Sequence, residues 1–396
     1  MEYKIENKKL IIPEGVTVIE KKAFEYNRDF VQVQFPKSLC KIEERAFYEC
    51  QELKEICLPE GLTTLEEEAF QDCPKLRMVT LPDSLEVIPT RCFDGCTKLK
   101  DVTLGKQLKE IQDEAFRRCK ALTSITLPIS LITIGDSAFE ECSSLKSFFM
   151  SNIVEYIGER SFADCTSLER VEIDQLTYSP LYEDALENTA LVNKDRKEHR
   201  LTIIGDCVVD GRGCSGELVI PQGIREIGPG AFKNCTRLTK IVFPNTMEHI
   251  SYRAFYGCVS LEHVELPDSL NSSLGDYMFE DCSSLKSVVF PKDKTLHVGK
   301  ELFKNTPWLR EQQKKGLVVI NDILQDGKAC KGTVHVNGVK EISGYAFQGN
   351  IDITEVIIEE GVETIGYGTF SHCSFLKRVT LPKSLKNIYA HTCWLN

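Results

Sequence analysis

The feature that most constrains this chain is a beat. Cysteine falls at Cys50, Cys73, Cys96, Cys119, Cys142 and Cys165, each 23 residues after the last, and returns at Cys235, Cys258, Cys282 and Cys373. Phenylalanine keeps the same time three residues earlier, at Phe24, Phe47, Phe70, Phe93, Phe116, Phe139, Phe162, Phe232, Phe255, Phe279, Phe303, Phe347 and Phe370. Thirteen of the 20 phenylalanines thus occupy one position of a repeat. A fixed period of about 20 to 50 residues is the mark of a solenoid, whose units bury their apolar side only against neighbours. The period overrides the two or three compact domains that 396 residues would otherwise suggest.

One unit, Cys73 to Cys96, gives the pattern C-x2-L-x2-V-x-L-P-x2-L-x2-I-x4-F-x2-C. Its segment Val79-Thr80-Leu81 alternates apolar with polar and predicts a short strand. Pro82 follows where a missing N–H ends ladder pairing, as do Pro36, Pro59, Pro128, Pro221, Pro244, Pro267 and Pro382 in their units. Leu85 and Ile88 supply the next inward residues. The Ala-Phe pairs (Ala69-Phe70, Ala115-Phe116, Ala138-Phe139) then predict a short helical turn.

The recurring cysteine sits at a bend before the strand. Asn27, Asn350 and Thr306 hold the same slot in other units. A position shared by Cys, Asn and Thr calls for a small inward side chain hydrogen-bonding a turn. The ladder Cys50, Cys73, Cys96, Cys119, Cys142, Cys165, Cys235, Cys258, Cys282 and Cys373 is therefore expected to be buried, unpaired and structural, with disulfides between neighbouring coils as the alternative. Metal ligation would want clustered CxxC or CxxH spacing, and only His372-Cys373 and His391 near Cys393 come close, so no metal site is expected.

On this pattern the chain resembles the BspA-like (Treponema-type) leucine-rich repeats, best in Glu141 to Cys165 and Lys233 to Cys258, and the resemblance runs from Leu10 to Asn396. It implies an α/β repeat solenoid: a right-handed coil stack with a parallel sheet of short strands on one face and short helical turns on the other. It also implies a non-catalytic binding protein of the surface or adhesion type found in anaerobic bacteria and some protists. No catalytic residue belongs to the repeat.

Two stretches break the beat, at about 186–231 and 303–346. They match each other at an offset of 116, pairing Leu201 with Leu317, Asp210-Gly211 with Asp326-Gly327 and Cys214 with Cys330. Each reads as a charged helix (Asn193 to His199; Leu309 to Lys315) followed by short strands joined at Gly205-Asp206 or Asn321-Asp322. We read them as modified double coils inside one domain, 1–396, with final coils over 347–396; the alternative is a hinge between Leu186 and Ser215. Residues 1–9 form a polar lead-in able to pair as a hairpin cap.

With parallel stacking, the outward strand residues are free of the core and are where specificity would be written. The expected binding residues are Met78, Phe149, Arg170, Glu172, Lys240, Val242, His263 and Glu265, mixing charge with apolar groups as binding hot spots do. The expected partner is a protein or glycan. A self-assembling scaffold using the C-terminal edge at Trp394-Leu395-Asn396 is the alternative.

No phosphate loop, dinucleotide fingerprint, HExxH or GxSxG motif occurs, and the seven histidines share no phase, so neither enzyme activity nor a cofactor is expected. Fifty-nine acids against 48 Lys and Arg give a net charge of -11, which argues against a general grip on nucleic acid or an anionic membrane surface. No apolar run has the roughly 18 to 20 residues of a membrane span. The N-terminus reads as carrying no signal peptide. That favours the cytoplasm, as do the many thiols, whereas the family resemblance favours a secreted or surface protein.

Overall fold

The computed structural model describes residues 3–151, 153–173, 181–271, 274–291 and 298–391. The chain divides into two compact units, Met1–Glu198 and His199–Asn396. Each is a β-solenoid of stacked coils with parallel sheets and few helices.

A coil carries two strands. The one anticipated from the alternation is three residues long in most coils, as in Glu55–Cys57, Met78–Thr80 and Asp101–Thr103, and pairs in parallel with its counterpart one period away. Its central residue points inward: Ile56 and Val79 are buried. A second, two-residue strand follows, as in Lys41–Ile42, Thr64–Leu65 and Glu110–Ile111, and builds a second parallel sheet. It ends on the inward Ile or Leu of the pattern. In unit 1 this second sheet is interrupted between Thr64–Leu65 and Val87–Ile88. There Pro89 occupies the place from which Glu66 and Gln112 each send an N–H to the preceding coil, and proline has none to send.

The Ala-Phe segment is not helical, which corrects the expectation of short helical turns. Residues two before and two after each Phe take positive φ, as Arg45 (57°) and Glu49 (52°) do around Phe47. A helix cannot pass through left-handed residues. The alternation instead aims successive N–H groups in two directions. Ala46, Tyr48 and Cys50 bond within their own coil, to Glu43, Arg45 and Phe47, while Arg45, Phe47 and Glu49 bond to Glu67, Ala69 and Gln71 of the next. This edge is thus a third line of cross-coil hydrogen bonds.

Helices occur among the described residues only in the two irregular stretches: α1, Ala190–Lys197, and α2, Pro307–Gln313. Both start a few residues earlier than the charge pattern suggested, because threonine in the cysteine slot caps them. Thr189 and Thr306 accept from the N–H of Val192 (3.3 Å) and Leu309 (3.1 Å). In unit 2 the antiparallel pairs Thr202–Ile204 with Cys207–Asp210 and Val318–Ile320 with Ile323–Asp326 turn at Gly205-Asp206 and Asn321-Asp322. In unit 1 the lead-in pairs Lys4–Glu6 with Lys9–Ile11, and Tyr3 sits edge-on to Phe24 at 5.1 Å.

The core is a column of rings. From Phe24 to Phe162, adjacent ring centroids lie 5.1 to 5.7 Å apart and planes are within 17° of parallel. Beside it runs the cysteine column. Each Sγ donates to the carbonyl of the preceding coil's Phe: Cys50 to Phe24 (3.3 Å), Cys96 to Phe70 (3.2 Å), Cys165 to Phe139 (3.2 Å), Cys258 to Phe232 (3.1 Å), Cys282 to Phe255 (3.1 Å), Cys373 to Phe347 (3.0 Å). Cys235 donates to Cys214 O (3.3 Å). Asn350 does more from the same slot: its Nδ2 donates to Gly327 O and Cys330 O, and its Oδ1 accepts from Asp352 and Ile353. Burial pushes the thiols of Cys73, Cys119 and Cys142 well up, and that of Cys165 to about 12.

The irregular stretches put glycine where the ring would be. Gly211 and Gly327 send their N–H to Ala231 O and Ala346 O, the bond a Phe makes in a regular coil. A Cβ on either would collide with the ring of Phe232 or Phe347.

A local split interrupts the first sheet of unit 1. Arg77 N to Lys54 O, Lys100 N to Arg77 O and Leu81 N to Thr103 O are made, but among the described residues the next equivalents, Thr123 N to Lys100 O and Leu104 N to Thr126 O, are not. Beyond, Lys146 N to Thr123 O resumes the ladder while Leu127 N to Phe149 O is again missing. Residues 123–127 form no strand, and Val102 is only half-buried where Val79 is fully buried. Gly105 takes the strand-ending proline slot here and lies so close to the preceding coil that a Cβ would strike Pro82 O. This coil therefore sits tight against the one before it and away from the one after. The ring column and the second sheet run on through the split.

Two predictions follow from the core. Replacing Gly327 by Ala forces the Phe347 ring aside and lowers unit 2 stability by about 1–3 kcal/mol, as overpacking does; an unchanged urea midpoint would refute the contact. Alkylation of the native protein at pH 8, mapped by mass spectrometry, labels the exposed Cys40 and Cys57 first. The buried, protonated Cys73, Cys119 and Cys142 react only after denaturation, when the thiol count approaches 17; early labelling of Cys119, or a count well short of 17, counts against a ladder of free thiols.

Candidate functional site

Because a strand's side chains alternate, the residues flanking each buried central position stand on the outer face of the first sheet. The parallel register then aligns them in columns, one residue per coil. In unit 1, Met78 aligns with Glu55 and Asp101, Ser147 with Arg170, and Phe149 with Glu172. In unit 2, Val219 aligns with Val242, Glu217 with Lys240, Lys240 with His263, and Glu265 with Val289.

Three of the expected binding residues come together in unit 1. Phe149, Arg170 and Glu172, with Ser124, Thr126 and Ser147, line a depression of about 250 Å³ beside the split. Phe149 is 53% exposed, while Phe148, the next residue, is buried and stacks on Phe162 at 4.1 Å, fixing the strand beneath. Arg170 Nε donates to Glu172 Oε1 at 2.8 Å along the same strand. Met78 is exposed at 43% but stands in an earlier coil, apart from this depression.

Four others come together in unit 2. Lys240, Val242, His263 and Glu265 line a groove of about 550 Å³ with Phe243, Val289 and Phe290. Lys240 Nζ is 2.7 Å from Glu217 one coil away. Val219, Val242 and Val289 are all exposed, so this column is apolar except at Glu265.

Val219 was missed in the sequence because it lies in an irregular stretch, although Pro221 two residues later marks the end of its strand. The value of Ser124, Thr126 and Ser147 as a group was missed as well. Each is an ordinary strand residue, and only the split and the neighbouring Phe149 give them a common space.

The lining of the unit 1 depression offers hydroxyls, an aromatic face and an ion pair but no histidine beside its serines. That set can hold a ligand, with the Glu172 carboxylate already engaged by Arg170. Among the described residues no group of three or more His, Cys, Asp or Glu side chains is placed to hold a metal, and no helix is long and apolar enough to cross a membrane. The expected self-association edge, Trp394-Leu395-Asn396 with Cys393, lies outside the described residues.

No curated protein matches this chain. Among solved structures it is similar to a leucine-rich repeat protein from Bacteroides ovatus, at 22% identity over 97% of this chain and 93% of that one, with a TM-score of 0.41. It is also similar to a leucine rich cell surface protein from Faecalibacterium prausnitzii (18% identity, 96% and 92% coverage, TM-score 0.35) and a leucine-rich repeat protein from Eubacterium ventriosum (18%, 97% and 85%, 0.39). The model of the BspA type leucine rich repeat region matches residues 2–120, 86–215, 202–318 and 331–394, nearly the whole sequence. Together with the repeat, the ring column and the paired strands, this match establishes that the chain belongs to the BspA-type leucine-rich-repeat family.

Proposed function

We propose that the protein is a non-catalytic interaction protein of the adhesion type, which binds a protein or glycan through the outer face of the first strand of its coils. One observation carries the reading: this face holds exposed apolar side chains in register, Val219, Val242 and Val289 in unit 2 and Phe149 in unit 1, at positions with no core duty. Stacked coils exclude most apolar groups from water, and a row left outside, edged by paired charges such as Lys240 with Glu217, is the composition of a recognition patch. The family to which the chain belongs supports a binding role on fold grounds alone.

The test is a screen of the intact chain against arrays of extracellular proteins and of glycans, followed by face variants against any partner found. If the unit 2 groove takes part, Val242→Glu with Val289→Glu weakens binding at least tenfold, about 1.4 kcal/mol. Circular dichroism and the thermal midpoint should stay unchanged. Charge reversal at Arg170, Lys240 and Glu265 tests the polar part. Full affinity in every one of these variants would sink the choice of face.

A further inference from the structure

We propose that the depression around Phe149 in unit 1 is a subsite for a neutral sugar, so that the ligand of this part of the strand face is a glycan. The inference rests on the reading of that face as a binding surface and narrows it to one class of partner.

The lining forms a grid of two columns and three coils. Ser124, Ser147 and Arg170 make one column and Thr126, Phe149 and Glu172 the other, with the register of the last two coils fixed by the pairs Ser147 with Arg170 and Phe149 with Glu172. An aromatic ring, half in solvent, thus has hydroxyls on one side and a guanidinium and a carboxylate on the other. A pyranose has the complementary make-up. One face of its ring is a patch of C–H groups, positive toward the negative face of an aromatic ring, and its rim is hydroxyls that both donate and accept. Serine and threonine hydroxyls can take either role, the Glu172 carboxylate accepts and Arg170 donates.

The split in the ladder adds main-chain groups of both kinds. Leu127 N–H and Phe149 C=O, both on residues that line the depression, are not joined to one another, so a ligand there meets a donor and an acceptor that in a regular coil would be consumed by the sheet. A protein side chain could use one of them. A sugar rim, with hydroxyls on most of its carbons that both donate and accept, answers both along with the ring.

Two further observations narrow the class. Arg170 and Glu172 already neutralise one another through the 2.8 Å contact, so the site offers no net charge for a sulfated or phosphorylated ligand. The volume, about 250 Å³, lies below the roughly 300–1,000 Å³ of pockets that enclose a drug-sized molecule. The site therefore suits one terminal or side-branch residue lying on the ring, and weak binding per site.

The experiment uses the intact chain and a panel of neutral disaccharides: lactose, maltose, cellobiose, mannobiose and diacetylchitobiose. Saturation-transfer NMR detects contact, and calorimetry measures affinity. We expect at least one sugar to bind in the millimolar range or tighter. Phe149→Ala should weaken it at least tenfold, Phe149→Trp should retain or improve it, and Thr126→Ala should weaken it about threefold. Each variant is first checked for an unchanged thermal midpoint, as the exposed Phe149 ring allows. No sugar binding by the wild-type chain overturns the proposal, as does binding that Phe149→Ala leaves intact. If a protein partner is found whose affinity depends on Val242 and Val289 while no sugar binds, the strand-face reading stands and the sugar subsite falls. If neither strand-face variant changes binding of any partner, both fall.

Discussion

The structure depends on where each coil sends its main-chain hydrogen bonds. In the Ala-Phe segment, alternating right- and left-handed residues direct every second N–H to the carbonyl 22 or 23 residues on. Left-handed conformations at non-glycine residues such as Arg45 and Glu49 cost of order 1 kcal/mol or more each. The cross-coil bond is what holds them. This line, with the two parallel sheets, lets a coil satisfy its backbone only when it has neighbours, and it tolerates one added residue in the repeat: Phe47 bonds to Ala69 in a 23-residue coil, and Phe255 to Met278 in a 24-residue one. The phenylalanine and cysteine columns follow from that repeat. Equal spacing puts ring over ring at about 5 Å, and it puts each thiol beside a Phe carbonyl that already accepts one N–H of its own turn and takes the thiol on its second lone pair. Asparagine or threonine can replace cysteine there because the slot asks for a small group able to reach a turn, and each solves the task with its own bonds.

The same register orders the surface. Side chains one period apart are neighbours across the sheets, and several ion pairs lie at that separation: Lys75 with Glu52 (2.6 Å), Lys109 with Glu86 (2.8 Å), Lys240 with Glu217 (2.7 Å) and Lys386 with Glu363 (2.8 Å). Exposed pairs of this kind contribute roughly 0–1 kcal/mol each. Their larger effect is to quench charge between neighbouring coils; on the outer face, Lys240 with Glu217 does so beside the exposed Val219 and Val242.

The repeat, the inward residues, the first strand and the register of the outward columns were legible in the sequence, because each recurs many times at one spacing. The second strand was not. A two-residue strand such as Lys41–Ile42 is too short for alternation to show, and its Ile read only as an inward anchor. The turn edge was misread for a physical reason: Phe and Cys three apart, with Ala before the Phe, imitate the spacing of an amphipathic helix. Nothing in the identities of Arg45 or Glu49 announces a left-handed backbone, which the neighbouring coil imposes. The ion pairs could have been found by aligning Lys and Glu one period apart.

What distinguishes this chain from its own consensus is concentrated where glycine or threonine replaces a repeated residue. Threonine in the cysteine slot starts a helix at 189 and at 306, because a hydroxyl caps N–H groups that a thiol bonded back to the previous coil leaves alone. Gly211 and Gly327 give up a ring so that the next coil's ring can lie against the backbone. Gly105 gives up the proline of its slot, draws its coil toward Pro82 and opens the sheet on the other side. In each case a missing side chain moves a backbone, and at Gly105 the movement leaves main-chain donors and acceptors beside an exposed aromatic ring. A solenoid that satisfied every coil would write its selectivity in outward side chains alone. Where the stack is imperfect the main chain joins them, and in unit 1 the imperfection at Gly105 lies one coil before Ser124 and Thr126, which share a depression with Phe149.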